Sequence, residues 1–155
     1  MASQVAAEQF LSIRAEFFSF CFQEADDDFV PVPYPEDFEA DSSFLTAHEG
    51  RIDVVSAGHT HVASLTVQVW DAEPPPEADG AWDISGDSEI FSATGELSLW
   101  AFGGPVADSV ELGEPGRRWK VRLSCSGREE VAQRAQLEVP HGVERYLAQF
   151  WPVDA

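Results

Sequence analysis

The sequence predicts an all-β fold, an antiparallel β-sandwich of about seven to eight strands with long acidic loops that contain proline. Short segments in which apolar and polar residues alternate are typical of strands with one buried face. From Gly50 onward, Gly, Pro and Asp separate these segments at the spacing expected of a sandwich or barrel. The length of 155 residues and the hydrophobic fraction of 44% fit a single domain over residues 1–155.

An aromatic-rich segment, residues 10–22, is predicted to form one long opening strand. In an extended chain its apolar residues divide between two faces. One face holds Leu11, Ile13, Ala15 and Phe17, and the other holds Phe18, Phe20 and Phe22. A helix within residues 4–18 is the alternative, because the first of these residues favour helix, and we expect at most a short one.

Two proline-containing segments are predicted to be exposed loops. Residues 23–49 contain three consecutive aspartates, three prolines and four acids between Glu36 and Asp41. Residues 71–81 contain three consecutive prolines among four acids. Since proline cannot donate to a strand ladder, we expect the first segment to be a long loop with one helical turn near Pro35, and the second to be a stiff polyproline-type connection.

The other predicted strands follow the alternating segments in chain order. They cover residues 51–55, 61–70, 88–93, 95–102, 117–126 and 144–151. In the segment 117–126, Arg118, Lys120 and Arg122 form a basic stripe, which we expect to pair with acids on neighbouring strands. Residues 129–137 are compatible with either a short helix or a polar strand.

The charge is the unusual property of this chain, with 28 Asp and Glu against 9 Lys and Arg and a formal charge of -19. Residues 1–116 hold 23 of the acids and only two of the bases, Arg14 and Arg51. Such a field repels phosphate backbones and anionic membranes and speeds encounter with a basic protein. We therefore expect no direct nucleic-acid binding, no membrane binding, and a basic protein partner.

The acids of the two proline-containing segments are the predicted partner-binding residues. Exposed acids also serve solubility, which is the alternative interpretation of the same residues. The predicted contacts are Asp26, Asp27, Asp28, Glu36, Asp37, Glu39, Asp41, Glu73, Glu77 and Asp79.

A pair of histidines in the motif Gly58-His59-Thr60-His61 offers an alternative kind of site. On an extended strand, residues i and i+2 point to the same face, so His59 and His61 could present two imidazoles to one metal ion. A third ligand would have to come from another part of the chain. The alternative is a turn and strand edge with solvent-facing histidines.

Catalytic motifs are missing from the sequence. There is no Gly-x-Ser-x-Gly, no Ser-x-x-Lys and no phosphate-binding glycine loop. We therefore predict a protein that is not an enzyme and that needs no cofactor. Cys21 and Cys125 have no metal-type spacing and are predicted to be core residues in a reducing cytoplasm.

Taken in order, the segments resemble those of the competence protein J family, small bacterial inhibitors of a DNA-entry nuclease. The resemblance rests on Leu11–Phe20, Gly50–Val54, the strand ending at Trp70, Gly95–Leu99, Gly116–Leu123 and Glu144–Pro152. It implies a β-sandwich without catalysis whose partner is a nuclease.

Three hypotheses follow from the sequence. The first is an inhibitor or immunity-type protein that occludes a basic partner such as a nuclease or toxin. The second is a small metal-binding barrel or enzyme that uses His59 and His61. The third is an assembly subunit that associates through a hydrophobic patch of Tyr146, Phe150 and Trp151.

Overall fold

The computed structural model describes residues 3–26, 28, 44–76, 82–101 and 104–153. These residues form ten strands and one short helix. The strands are β1 (Val5–Glu16), β2 (Ser19–Glu24), β3 (Leu45–His48), β4 (Arg51–Val55), β5 (Thr60–Trp70), β6 (Ile84–Ser92), β7 (Glu96–Ala101), β8 (Gly104–Glu111), β9 (Arg117–Ser126) and β10 (His141–Pro152), and helix α1 (Arg128–Arg134) lies between β9 and β10.

The predicted all-β class is confirmed, whereas the arrangement differs from a simple sandwich. The strand pairings run through one nearly closed, barrel-like sheet in the order β3-β4-β2-β1-β5-β10-β9-β6, and β7 joins β2 to β8. All of these pairs are antiparallel except β5 with β10. The hairpin of β1 and β2 makes the sheet continuous, because β2 pairs with β4 and β7 while β1 pairs with β5.

The prediction of one strand over residues 10–22 is wrong, because the chain reverses at Phe17 and Phe18. Glu16 pairs with Ser19 across a two-residue turn. Phe17 and Phe18 have φ angles of 51° and 64°, the left-handed values that such tight hairpin turns require. Strand β1 also takes up the residues for which a short helix was the alternative.

Two strands fall outside the predicted set. Strand β3 lies within residues 23–49, which were predicted to be loop throughout, and pairs with β4. Strand β8 begins with Gly104-Pro105 and pairs only with β7. Both occur at sheet edges, where Gly, Pro and short length weaken the sequence pattern. The open alternative at residues 129–137 is decided in favour of helix, and the predicted turn near Pro35 lies outside the described residues.

The core lies between the inward faces of the strands and holds several of the chain's large aromatic side chains. Phe22, Trp119, Tyr146 and Phe150 are at most 2% exposed, and Trp151 is also buried. The patch predicted in the third hypothesis is therefore interior, because β10 lies in the middle of the sheet between β5 and β9. Burial of each such side chain contributes roughly 2–3 kcal/mol of hydrophobic free energy.

Two residues of the basic stripe on β9 face acids on β6, as predicted, while the third, Arg118, lies opposite Phe91. Asp87 lies opposite Arg122, with Nε of Arg122 and Oδ1 of Asp87 separated by 3.7 Å, and Glu89 lies opposite Lys120. Arg122 also donates to the backbone carbonyl of Pro75 at 3.3 Å. This contact holds the start of the second proline-containing segment against the sheet.

Side chains close the sheet where backbone pairing stops. A Cβ at Gly86 on β6 would lie 3.0 Å from Cδ1 of Leu45 on β3, so these two edges pack closely. On the other side of the sheet, the amide of Gln9 on β1 donates to the carbonyl of Ser109 on β8 and accepts from the backbone N–H of Glu111.

Candidate functional site

The structure separates the two histidines that were predicted to share a face. His59 precedes β5, is exposed, and places its ring against Phe17 and Phe18 with centroid distances of 5.0 and 5.1 Å. His61 lies within β5 and is 0% exposed. Their side chains therefore do not converge. Within the described residues, no group of three or more His, Cys, Asp and Glu side chains is arranged to hold a metal ion.

His61 belongs to a buried polar cluster with Ser56 and Glu144. Oγ of Ser56 lies 2.7 Å from Nε2 of His61 and donates to Oε1 of Glu144, also at 2.7 Å. Glu144 further accepts from the backbone N–H of Ala57 at 3.0 Å and from the hydroxyl of Tyr146. The cluster thus joins the connection between β4 and β5 to the middle of the sheet at β10.

A serine, a histidine and a glutamate in contact invite comparison with a hydrolytic triad, but the hydrogen bonds among the three side chains are arranged differently. In a triad the carboxylate holds Nδ1–H of the histidine, which leaves Nε2 free to take the serine proton. Here the Ser56 hydroxyl donates to Glu144, so Nε2 of His61 is the protonated nitrogen and donates to Ser56. Ser56 is also 2% exposed, so its oxygen is out of reach of a substrate. This cluster is a structural one.

Burial controls the charge states around this cluster. It lowers the pKa of His61 below its usual value, and the nearby Glu144 carboxylate only partly offsets this effect, so His61 is neutral at pH 7. It raises the pKa of the Cys125 thiol to about 12 and raises that of Tyr146 as well. Arg128 supplies the positive charge, with its Nη1 3.7 Å from Oε2 of Glu144.

Gly58 is needed where the chain passes this cluster. A Cβ at this position would lie 2.7 Å from Cδ2 of His61 and 3.0 Å from Cγ2 of Val131 on α1. The motif that suggested a metal site is therefore explained by close packing of the β4–β5 connection beneath the helix.

A second buried carboxylate, that of Glu24, lies at the start of the first proline-containing segment, residues 23–49, called the first acidic segment below. It accepts hydrogen bonds from Oγ of Ser92 at 2.7 Å, from Oγ1 of Thr94 at 2.9 Å and from the backbone N–H of Asp26 at 3.0 Å. Burial opposes ionisation of this carboxyl, but these hydrogen bonds outweigh it and lower the pKa of Glu24. Glu24 therefore anchors the point where the acidic segment leaves β2.

Three of the ten predicted partner-binding acids lie among the described residues. Asp26 is half-buried and accepts from the backbone N–H of Asp28 at 3.0 Å, while Asp28 is exposed. The Glu73 side chain is 69% exposed and lies 3.9 Å from Nη2 of Arg122. The other seven, which lie outside the described residues, are Asp27, Glu36, Asp37, Glu39, Asp41, Glu77 and Asp79.

An exposed aromatic turn is the surface feature that the sequence analysis missed. Phe17 is 58% exposed and Phe18 is 45% exposed. Their left-handed backbone costs roughly 1–2 kcal/mol for each residue with a side chain. The turn is held by hydrogen bonds from Phe18 N–H to the carbonyl of His59 and from Ser56 N–H to the carbonyl of Phe18. The available signal was two adjacent Phe between Glu16 and Ser19, which we assigned to a continuous strand.

A groove separates this turn from helix α1. Its volume is about 500 Å³. Small and apolar groups form most of its wall, and the lining residues are Phe18, Ala57, His59, Ala132, Ala135 and Gln136. Within the described part of the chain, no helix has the length and hydrophobicity needed to cross a bilayer.

Comparison with solved structures shows the fold that this chain shares. The crystal structure of ComJ, the inhibitor of the DNA degrading activity of NucA from Bacillus subtilis, aligns with a TM-score of 0.62 and 13% identity, covering 99% of this chain and 100% of ComJ. The protein described as crocagin biosynthetic gene J aligns with a TM-score of 0.62 and 18% identity, covering 99% of each chain. No protein-family model and no curated protein matches the sequence. The resemblance noted in the sequence is thus confirmed as a similarity of fold to ComJ over nearly the whole chain.

Proposed function

We propose that this protein is a non-catalytic inhibitor or immunity-type protein that binds a basic protein, a nuclease or toxin, and blocks its nucleic-acid groove. The observation that carries this proposal is the whole-length similarity of fold to ComJ, which is named as an inhibitor of a DNA-degrading activity. The formal charge of -19 supports it independently, because a surface that binds DNA attracts acids as well as phosphates.

The acids of the two proline-containing segments are the proposed contacts. Glu24 and Arg122 hold the described beginnings of these segments against the sheet, and Asp28 and Glu73 are exposed beside them. Carboxylates on such segments would occupy positions that phosphates take in the nuclease groove. Electrostatic steering of this kind raises association rates toward roughly 10⁸ M⁻¹s⁻¹ at low salt.

Absence of catalysis is part of the same proposal. Its support is the arrangement of Ser56, His61 and Glu144, in which the Ser56 hydroxyl is inaccessible and donates to the Glu144 carboxylate. A cytoplasmic location is also proposed. Its support is the pair of free thiols, Cys21 and Cys125, since disulfides are rare in a reducing compartment.

A nuclease assay tests the proposal. Degradation of linear DNA is followed with NucA and with an extract of the source cells, each with and without the purified protein, at low and at high salt. We expect inhibition of at least one of these activities, weaker at high salt. If the protein slows neither activity and forms no salt-sensitive complex with a basic protein of the extract, the proposal is wrong.

A further inference from the structure

Two features that are energetically unfavourable in the protein without a partner occur together at the turn between β1 and β2. Phe17 and Phe18 expose apolar area to water, and both hold left-handed backbone angles that Asn and Gly adopt far more readily. A turn needed only to reverse the chain would have neither feature. Their coincidence indicates that the aromatic side chains serve a contact made by the surface.

We propose that Phe17, Phe18 and the groove beside α1 form the apolar centre of the contact with the basic partner, and that the groove takes up an apolar side chain flanked by Lys or Arg. This inference rests on the proposed function and adds a second component to it. Aromatic anchors at the centre of an interface commonly carry much of its binding free energy, while charged groups around them govern encounter and orientation.

The groove has the shape and chemistry for such a side chain. Ala57, Ala132 and Ala135 leave space beside the Phe18 ring, and the volume of about 500 Å³ holds a side chain of ordinary size. The anchors are held in position before binding, since His59 contacts both rings edge-on and its carbonyl accepts from the Phe18 N–H. Little freedom is therefore lost on binding.

Charge around the groove selects a basic partner. Glu129 on helix α1 is exposed and lies three residues before Ala132, so it is on the side of the helix that borders the groove. Glu130 is on the opposite side and, like Glu138, is already paired with Arg134, whose Nε lies 2.9 Å from Oε1 of Glu138 and whose Nη1 lies 3.4 Å from Oε1 of Glu130. Glu129 and the formal charge of -19 together complement a Lys or Arg beside the inserted apolar group.

The variant that separates binding from folding replaces the turn with the pair that its backbone favours. Phe17→Asn with Phe18→Gly removes both rings and suits left-handed angles. We expect the double variant to be at least as resistant to urea as the natural protein and to inhibit nuclease about tenfold less well or worse. Because an apolar contact is little screened, this loss is expected to be similar at low and high salt. Phe10→Asn is the matched control, since Phe10 is 76% exposed on β1, and it leaves inhibition unchanged.

A second measurement examines the groove without any nuclease. Amide chemical shifts are followed while the protein is titrated with the peptide Arg-Lys-Leu-Trp-Lys-Arg, and in parallel with Arg-Lys-Ser-Gly-Lys-Arg. We expect the first peptide to shift residues 17–18, 57–59 and 132–136, and the second to leave them in place. The double variant abolishes these shifts.

The outcomes distinguish the two proposals. If the natural protein and the double variant inhibit a nuclease equally, the proposed inhibitor function is supported, and the proposal that Phe17, Phe18 and the groove form the apolar centre of the contact is wrong. If the first peptide shifts the groove amides but the protein inhibits no nuclease, the groove is supported as a binding surface and the proposed inhibitor function is wrong. If both peptides cause equal amide shifts, or if neither shifts the groove residues, the groove does not bind an apolar side chain and this proposal is wrong. A dimer in light scattering that the double variant abolishes would assign the surface to a second copy of this chain and likewise overturn the proposal.

Discussion

Gln9 and Glu111 connect β1 to β8 through a side chain, at an edge where these strands do not pair through their backbones. The Gln9 amide oxygen accepts from the backbone N–H of Glu111 at 2.9 Å, and its Nε2 donates to the carbonyl of Ser109 at 3.1 Å. A side-chain amide thus takes the role that a backbone peptide has in a strand ladder. It satisfies two backbone groups of an edge strand and helps to close the sheet.

Replacing this amide tests its role. Gln9→Ala removes both hydrogen bonds, and since each contributes about 0.5–1.5 kcal/mol, we expect the free energy of unfolding to fall by about 1–3 kcal/mol. Urea denaturation measures the change. Ser12→Ala, at an exposed position on the same strand, is the control and should change stability by under about 0.5 kcal/mol. Equal stability of Gln9→Ala and the natural protein would contradict the bridging role.

The buried His61 predicts how stability depends on pH. Burial lowers its pKa in the folded protein below the value of 6.5 that it has when exposed. The unfolded chain therefore binds a proton more readily, so the stabilisation is complete above pH 6.5 and is lost as the pH falls below it. The slope approaches about 1.4 kcal/mol per pH unit for one proton.

Urea denaturation as a function of pH measures this dependence. His61→Gln keeps a donor for Ser56 and does not titrate, so the loss of stability that begins at pH 6.5 should disappear in this variant. The loss that begins below pH 4.5, where Glu24 in the unfolded chain becomes protonated, should remain, because hydrogen bonds lower the pKa of Glu24 in the folded protein. If the stability of His61→Gln depends on pH as that of the natural protein does, the loss that begins at pH 6.5 comes from another group.

Glu144 is expected to be the most sensitive charged position in the core. Glu144→Ala leaves the Ser56 hydroxyl, the Ala57 N–H and the Tyr146 hydroxyl without their acceptor and leaves Arg128 without its carboxylate. Removing one partner of a buried ion pair costs about 3–5 kcal/mol, so this variant should be largely unfolded or have a much lower melting temperature.

The control for Glu144 is a glutamate in an exposed ion pair. Glu138→Ala breaks the contact with Arg134 on the surface, which is worth about 0–1 kcal/mol. Calorimetry or circular dichroism during heating compares the two variants. Similar melting temperatures for both would show that the buried cluster is not important for stability.

Neutralising the first acidic segment tests its role in encounter. Asp26→Asn, Asp27→Asn and Asp28→Asn together remove three charges without changing side-chain volume. We expect the association rate with an inhibited nuclease to fall about tenfold at low salt and little at high salt, with only a small change in the dissociation rate. Stopped-flow fluorescence measures both rates.

The matched control removes three charges elsewhere. Glu89→Gln, Asp108→Asn and Glu111→Gln are all at exposed positions and lie outside the two proposed segments. If the two triple variants slow association equally, the effect comes from net charge alone, and the acidic segments are not a specific contact.

Much of the strand pattern was available from the sequence because it depends on local alternation. Residues 51–55 and 117–126 were predicted with the bounds that β4 and β9 have, since apolar and polar residues alternate along nearly all of each segment. The turn at Phe17 and Phe18 was not, because two Phe are poor candidates for left-handed angles and fit a strand better.

The candidate site was predictable only in part. The excess of acids is a property of composition. The histidine motif was visible, but the two alternatives considered for it were a metal site and a turn with solvent-facing histidines, and neither predicts the burial of His61. The partners of His61 lie 5 and 83 residues away, in Ser56 and Glu144, and no local pattern indicates such contacts. The groove beside Phe18 likewise combines residues from the β1–β2 turn, the β4–β5 connection and α1.

The sequence by itself determined the all-β class, the acidic character and most strand positions, because side-chain alternation and charge are local quantities. The tertiary structure alone decided that the strands close into one barrel-like sheet, that Tyr146 and Trp151 are interior, and that Phe17 and Phe18 are exposed. These outcomes depend on which strands become neighbours. Strand order is set by packing and hydrogen bonding between residues far apart in the chain, and that information is not contained in any single segment.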